Sequence, residues 1–183
     1  MVAIDYSERL LEFASERTPH DLQIEYRHAN FEKLDLFGAE SFDLVVSVAA
    51  LNDIADYESA VREAYRVLVR GEAVLLALLH PCFSADGGWV RDAEGRKRHW
   101  KVDNYFREIA SEQRLSRDAA RQPLYFHRTL TSYFRTLLSS GFQIEALVEP
   151  HPSQAALEKF PEYADDLRMS HYLVLVLRKR PCR

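Results

Sequence analysis

The chain has 183 residues, enough for one domain that buries about 70% of the surface its unfolded form would expose. With 24 Lys and Arg against 28 Asp and Glu, the net charge of −4 gives no general attraction to nucleic acid or anionic lipid, which leaves a small molecule or another protein as the expected partner. Its two cysteines, Cys82 and Cys182, make neither a secreted disulfide framework nor a CxxC metal motif, no apolar run approaches the ~20 residues of a membrane span, and the N-terminus lacks a signal-peptide pattern, so the expected location is cytoplasmic.

Val2, Ala3 and Ile4 form a short apolar run that stops at Asp5. The spacing predicts a helix from Ser7 to Arg17, with Leu10, Leu11 and Ala14 inward, Ser7 as N-cap and Thr18-Pro19 as its stop. An acid at the carboxyl tip of a strand can accept two hydrogen bonds from a ribose diol, or it can simply cap the turn. No glycine-rich turn lies about 20 residues upstream of Asp5, so the residues alone favour the cap. Ile24, Tyr26 and His28 alternate as a short strand does, and Ala29 and Asn30 form its polar tip. The Asn30 amide suits either a purine edge or a turn.

Phe42 to Val48 and Ala73 to Leu79 are nearly continuous apolar runs, the pattern of strands buried on both faces of a parallel sheet. Between them, Tyr57, Ala60, Val61, Ala64, Tyr65 and Leu68 fall on one helical stripe, with Asp56 as N-cap and Gly71 as a left-handed stop. A right-handed parallel crossover follows. Ligands in such sheets sit beyond the carboxyl ends of the strands, here Val48 to Asp53 and His80 to Phe83.

Ser84 to Gln122 is rich in charge and aromatics, without a long apolar stripe. Trp89-Val90-Arg91 and Lys97-Arg98-His99-Trp100 flank a turn at Asp92 to Gly95, which predicts a hairpin placed to cover the ligand crevice. Residues 91 to 101 hold five Lys or Arg, but Asp92, Glu94 and Asp103 dilute them, so a solvated hairpin is expected rather than a nucleic-acid surface. Thr129 to Ser140 reads as a helix with Leu130, Tyr133, Phe134, Leu137 and Leu138 on one face and Gly141 as its stop. Phe142 to Val148 alternates as a strand near a sheet edge, and Tyr172 to Leu177 is the last buried strand, with Arg178-Lys179-Arg180 as a solvated tail. No repeat or linker divides residues 1 to 183, so a single domain is expected.

Two histidines suit a general base. His80 stands at the tip of the central strand before Pro81, and His127 stands before the late helix; each can instead hydrogen-bond loop backbone. Tyr105, Phe106 and Tyr125 read as pocket, lid or packing aromatics. The seven histidines show no HxxxH pair and no GxSxG occurs, so no metal site and no common hydrolase nucleophile is expected.

Together, Val2-Ala-Ile-Asp5-Tyr-Ser-Glu8, Ser41-Phe-Asp-Leu-Val-Val-Ser47, Tyr65-Arg-Val-Leu-Val-Arg-Gly71 and Leu138-Ser-Ser-Gly-Phe142 resemble class I S-adenosylmethionine-dependent methyltransferases of the type 11 group, which modifies small molecules. The resemblance implies an α/β Rossmann-like three-layer sandwich, a mostly parallel sheet with an antiparallel last strand, S-adenosylmethionine at the carboxyl edge and residues 84 to 122 as a substrate cover. It also implies that Asp5 binds ribose, that Ala29 and Asn30 contact adenine, and that Val48, Ala49 and Ala50 flank the methionine moiety. The family's first strand and its glycine-rich loop have no counterpart here, so the fold is expected to be N-terminally shortened. Two functions follow from the resemblance: methyl transfer to a small-molecule acceptor, or a non-catalytic remnant that binds no cofactor and pairs with another chain through its exposed sheet, a homo-oligomer included. A nicotinamide-dependent enzyme is disfavoured by the antiparallel ending and the lack of GxGxxG.

Overall fold

The structure, a computed structural model, describes residues 1–84, 87–112 and 124–181. β1 (Val2–Asp5) leads to α1 (Glu8–Arg17), where the Ser7 hydroxyl caps the helix by accepting the Leu10 N–H at 3.3 Å. β2 (Glu25–His28) pairs parallel with β1. Next come β3 (Phe42–Val48), a 3-10 turn at Leu51–Asp53, α2 (Tyr57–Val67) and β4 (Leu68–Leu79), which lies parallel to β3. Asp56 caps α2 by accepting the Ser59 N–H at 2.9 Å, as the sequence predicts.

A single turn, α3 (Pro81–Ser84), precedes the hairpin of β5 (Gly87–Arg91) and β6 (Lys97–Val102). β7 (Ala110–Glu112) and β8 (Leu124–Phe126) pair antiparallel, and α4 (Leu130–Ser139), β9 (Phe142–Val148), α5 (Gln154–Lys159), a 3-10 segment at Pro161–Arg168 and β10 (Tyr172–Lys179) follow. Of the expected cover, residues 85–86 and 113–122 lie outside the described residues, as does Cys182.

The main sheet runs β3-β4-β10-β9, with β10 antiparallel to both neighbours. It is therefore mixed: two of its three strand pairings are antiparallel, both made by β10, the last strand, as expected of it. β1 and β2 form a separate parallel pair. α2 and α4 pack together on one face of the main sheet, over Val74, Leu76 and Leu78 of β4 and Leu173, Leu175 and Leu177 of β10. Each such side chain contributes on the order of 2 kcal/mol on burial. This seam, rather than β1 and β2, holds the domain together.

Among the described residues the opposite face of the sheet carries no comparable helical layer, so the third layer expected of the sandwich is not formed there. β3 shows this directly: Leu44, Val46 and Val48, expected inside, are 55 to 64% exposed. In α1 no residue is buried and Leu10 is 57% exposed, although the sequence places it inward. Leu138 of α4 likewise faces outward.

Two further expectations change. The central helix ends at Val67, not at Gly71, because the carbonyls of its last turn are taken by other donors: Arg66 O by the Glu40 N–H, Val67 O by the Ser41 N–H and Leu68 O by Lys179 Nζ. Gly71, at φ +82°, instead forms the turn across which the β3 register jumps from Leu68 to Ala73. Of the basic C-terminal cluster Arg180 is exposed, as a solvated tail would be, but Arg178 and Lys179 are not. Lys179 is 4% exposed, and Arg178 binds Glu145 and Gly71 O.

Candidate functional site at the carboxyl edge

β1, β3 and β4 deliver Asp5, Val48 to Asp53 and His80 to the carboxyl edge, where the crossover topology predicts a ligand. Asp5 accepts the Ser7 N–H at 2.7 Å through Oδ1, which leaves Oδ2 unpartnered among the described residues. Its backbone carbonyl receives the Ala29 N–H at 3.1 Å, so β1 and β2 share one rigid tip. Burial raises the Asp53 carboxyl above its ordinary value, and the Asp5 carboxylate adds to the rise, which places the two acids within each other's field. Asp53 remains solvent-exposed as a whole, so its shift is screened.

At the tip of β3, Ala49 has φ +56°, a left-handed conformation that costs a residue with a side chain about 1 kcal/mol or more. Its N–H holds that geometry by donating to Ala77 O at 2.7 Å. Asn30 is less available than expected: its Oδ1 accepts the Glu32 N–H at 2.9 Å and its Nδ2 approaches Glu32 Oε2 at 3.3 Å, which makes it a turn residue.

His80 is 5% exposed. Its Nδ1 accepts the Cys82 N–H at 3.2 Å, so the ring proton sits on Nε2, which meets Glu149 Oε1 at 2.9 Å. Glu149, at the end of β9, keeps 55% of its side chain exposed. The pair puts a solvent-facing carboxylate where the sequence predicts an imidazole. Burial, and then the Glu149 charge, push the neighbouring Cys82 thiol up, away from thiolate.

An aromatic train runs from His80 through Phe83 at 5.0 Å to Trp100 at 6.3 Å and on to Trp89 at 5.6 Å, linking the end of β4 to the hairpin. Trp89 and Trp100 face each other across β5 and β6. Arg168 stacks on Trp89 at 4.6 Å and donates to Lys97 O, and Lys97 pairs with Asp165 at 2.8 Å, so the hairpin is fastened to Pro161–Arg168. Asp92, Glu94, Asp103 and Asp165 take up hairpin cations.

His127 is placed elsewhere. Its Nε2 donates to Tyr105 O at 2.7 Å, while Nδ1 is buried without a partner. No described contact joins it to His80. Its neighbour Arg128 donates to Leu51 O, Ile54 O and Ala55 O, and so fixes the loop that carries Asp53. Tyr125 is buried and Phe106 is 87% exposed. Sequence reasoning missed Glu149 and Arg128: the first reads as an ordinary polar residue before Pro150, and the second as a helix-flanking charge.

The sequence model of a family described as a methyltransferase domain matches residues 1–76. A protein of Listeria monocytogenes described as an S-adenosylmethionine-dependent methyltransferase superposes with a TM-score of 0.84 at 32% identity, over 98% of this chain and 79% of its own. The chain belongs to the S-adenosylmethionine-dependent methyltransferases. A second such structure, from Mesorhizobium loti, matches this methyltransferase at 30% identity and a TM-score of 0.80, over 97% of the chain and 80% of its own. At 16% identity and a TM-score of 0.54 the fold alone is shared with a 1,6-didemethyltoxoflavin N1-methyltransferase of Burkholderia thailandensis, solved with S-adenosylhomocysteine; that match covers 98% of this chain and 60% of the other. No curated protein matches the chain significantly.

S-adenosylmethionine is thus the methyltransferase's cofactor, and the residues fit it in part. The unpartnered Asp5 oxygen suits a ribose hydroxyl, while the Asn30 amide is already engaged. Among the described residues no three His, Cys, Asp or Glu side chains cluster as a metal site, and no helix is long and apolar enough to cross a membrane.

Proposed function

We infer that this methyltransferase acts on a small-molecule acceptor bound between the carboxyl edge and the β5–β6 hairpin. The observation that carries this reading is the aromatic train from His80 to Trp89, which supplies apolar ring surface between the carboxyl edge and the hairpin, the kind of lining that small-molecule sites use. S-adenosylmethionine, when bound, supplies a methyl group on a positively charged sulfur. Asp5 holds the ribose, Ala29 and Asn30 border the adenine through their turn, and Val48 and Ala49 flank the methionine end. An acceptor hydroxyl or amine gives up a proton as it is methylated, and the exposed Glu149 carboxylate takes it. His80 positions that carboxylate through its Nε2–H. His127 serves the fold around Tyr105 and α4 rather than the proton transfer.

The test has two parts. Titration calorimetry with S-adenosylmethionine should show binding that weakens at least tenfold in Asp5→Asn, while thermal stability is kept; unchanged affinity would remove Asp5 from the ribose site. With methyl-labelled cofactor and fractionated cell extract, label should pass to the small-molecule fraction. Label confined to protein or nucleic acid would sink the small-molecule reading.

A further inference from the structure

Glu149 holds an uncompensated negative charge at the carboxyl edge. Its Oε1 accepts the His80 Nε2–H at 2.9 Å, and because His80 Nδ1 already accepts the Cys82 N–H, the ring is neutral and does not cancel that charge. Oε2 has no partner, and 55% of the side chain is open. Among the described residues no Lys or Arg reaches Glu149. Lys97 and Arg168, at the hairpin end of the aromatic train, are both committed to Asp165, at 2.8 and 3.4 Å. An anionic acceptor would therefore meet like charge at Glu149 without a counter-charge to hold it.

Aromatic faces lie beside the same carboxylate. Phe83 is 5.0 Å from the His80 ring and Trp100 is 6.3 Å from Phe83, and both are half-buried, so part of each ring stays open. Trp89, the next ring, already receives two cations, Arg168 at 4.6 Å and Lys97 at 5.1 Å. Among the described residues Phe83 and Trp100 receive none. A carboxylate next to unoccupied ring faces is a combination that holds an ammonium group: the carboxylate takes the N–H and the charge, and the rings take the alkyl carbons that share it.

We propose that the methyl acceptor is a protonated aliphatic amine, its ammonium on Glu149 and its adjoining carbons against Phe83 and Trp100. This rests on the small-molecule reading above and names the acceptor within it. Proton chemistry favours the amine as well. An alkyl hydroxyl holds its proton about as tightly as water does, near a pKa of ~15.7, out of reach of a carboxylate, whereas an alkylammonium releases it near ~10. A phenol releases its proton in the same range, but it then becomes an anion beside an unpaired carboxylate. In the reaction the ammonium gives one proton to Glu149, which passes it to solvent through its open side. The freed nitrogen lone pair forms the N–C bond as the C–S bond of S-adenosylmethionine breaks, with that bond's electrons staying on sulfur. Positive charge thus moves onto nitrogen, where the carboxylate and the rings stabilise it.

Three probes of matched size, 2-phenylethylamine, 2-phenylethanol and 3-phenylpropionate, titrated into the chain with S-adenosylhomocysteine present, read this choice without turnover. The amine should bind at least tenfold more tightly than the alcohol, and the carboxylate more weakly than either. Glu149→Gln should erase the amine's advantage with alcohol binding unchanged, and Phe83→Leu, which keeps apolar volume and loses the ring, should shrink it at least threefold. Equal affinity for amine and alcohol, or an advantage that survives Glu149→Gln, would overturn the proposal. In the labelled extract, the methylated small molecule should be retained by a cation exchanger at neutral pH and should keep its label in alkali. Label on neutral or anionic small molecules would refute the amine alone and leave the small-molecule reading standing, whereas label confined to protein or nucleic acid would refute both.

Discussion

Asn52 uses both ends of its amide inside the protein. Fully buried, it accepts the Leu79 N–H at 2.9 Å and donates to the Tyr133 hydroxyl at 2.9 Å, which joins the loop after β3 to the end of β4 and to α4. Burial holds the Tyr133 and Tyr57 hydroxyls far above their usual pKa, so both stay neutral donors and acceptors at any physiological pH. Asn52→Ala leaves two buried partners unmet at about 1 to 3 kcal/mol each, and chemical denaturation should show a loss on the order of 2 to 4 kcal/mol. A loss below about 1 kcal/mol would mean that the surroundings repair both bonds. Glu149 is the opposite case, a residue whose removal should leave the fold alone. In Glu149→Gln, kcat should fall about a hundredfold with cofactor affinity unchanged, the size expected for losing a general base. Single-turnover rates at saturating cofactor would read this, and an unchanged rate would move proton acceptance to another group.

At the scale of the element, one side-chain pair on α2 adds to the backbone bonds that hold the segment between β2 and β3. Glu63 accepts the Leu34 N–H at 2.7 Å, and Arg66 binds Glu63 while donating to Phe37 O and Leu34 O at 2.9 Å each. These bonds anchor the segment that carries Asn30 and, through β2, steady the tip of β1. The Arg66 hydrogen bond, helped by the Leu34 N–H, holds the Glu63 carboxyl below its ordinary value of 4.5. The sign follows: unfolded chains bind the proton first as pH falls, so the stabilisation is complete above pH 4.5 and is lost as pH drops through the lower folded value. Glu63→Gln should therefore cost about 1 to 2 kcal/mol at neutral pH, a gap that closes in acid. Denaturation midpoints of the two proteins across pH 3 to 7, the range about the ~4.5 reference value, would check it. A gap independent of pH would mean that Glu63 acts by packing.

Across the whole molecule, stability is unevenly distributed. β4 and β10 are flanked on both edges and sealed on one face, while α1 buries no residue and β1–β2 touches the sheet mainly through the segment at 31–42. Native-state hydrogen exchange should rank the amides accordingly, with β4 and β10 opening only on global unfolding and β1, β2 and α1 opening by a local route at lower free energy. Uniform protection would show that the pair is coupled to the core after all. The proposed site spans this unevenness, with Asp5 on the weakly held part and His80 and Glu149 on the strongly held part.

Most elements were legible in the residues. Alternation and helical spacing are local properties, so β1, α2, the β5–β6 hairpin and α4 appear close to where the sequence puts them, and Asp56 caps α2 as its side chain allows. The family was legible too, through short stretches whose order reflects the crossover. What the residues could not tell was which apolar runs would find a partner. Phe42 to Val48 reads as a strand buried on both faces, but burial depends on neighbours that only the assembled sheet has, and among the described residues one face of β3 stays more than half exposed and its outer edge pairs with no strand. Arg178 and Lys179 read as a tail for the same reason: a lone charge in sequence is solvated by default, and only the tertiary structure brings Leu68 O, Glu40 and Glu145 to meet them. The sequence by itself determined the elements, their order and the cofactor class. The tertiary structure decided that Glu149 rather than His80 faces solvent, that Asn30 is tied into its turn, and that the sheet stays open at β3, because each of these depends on distances between residues that the chain holds far apart.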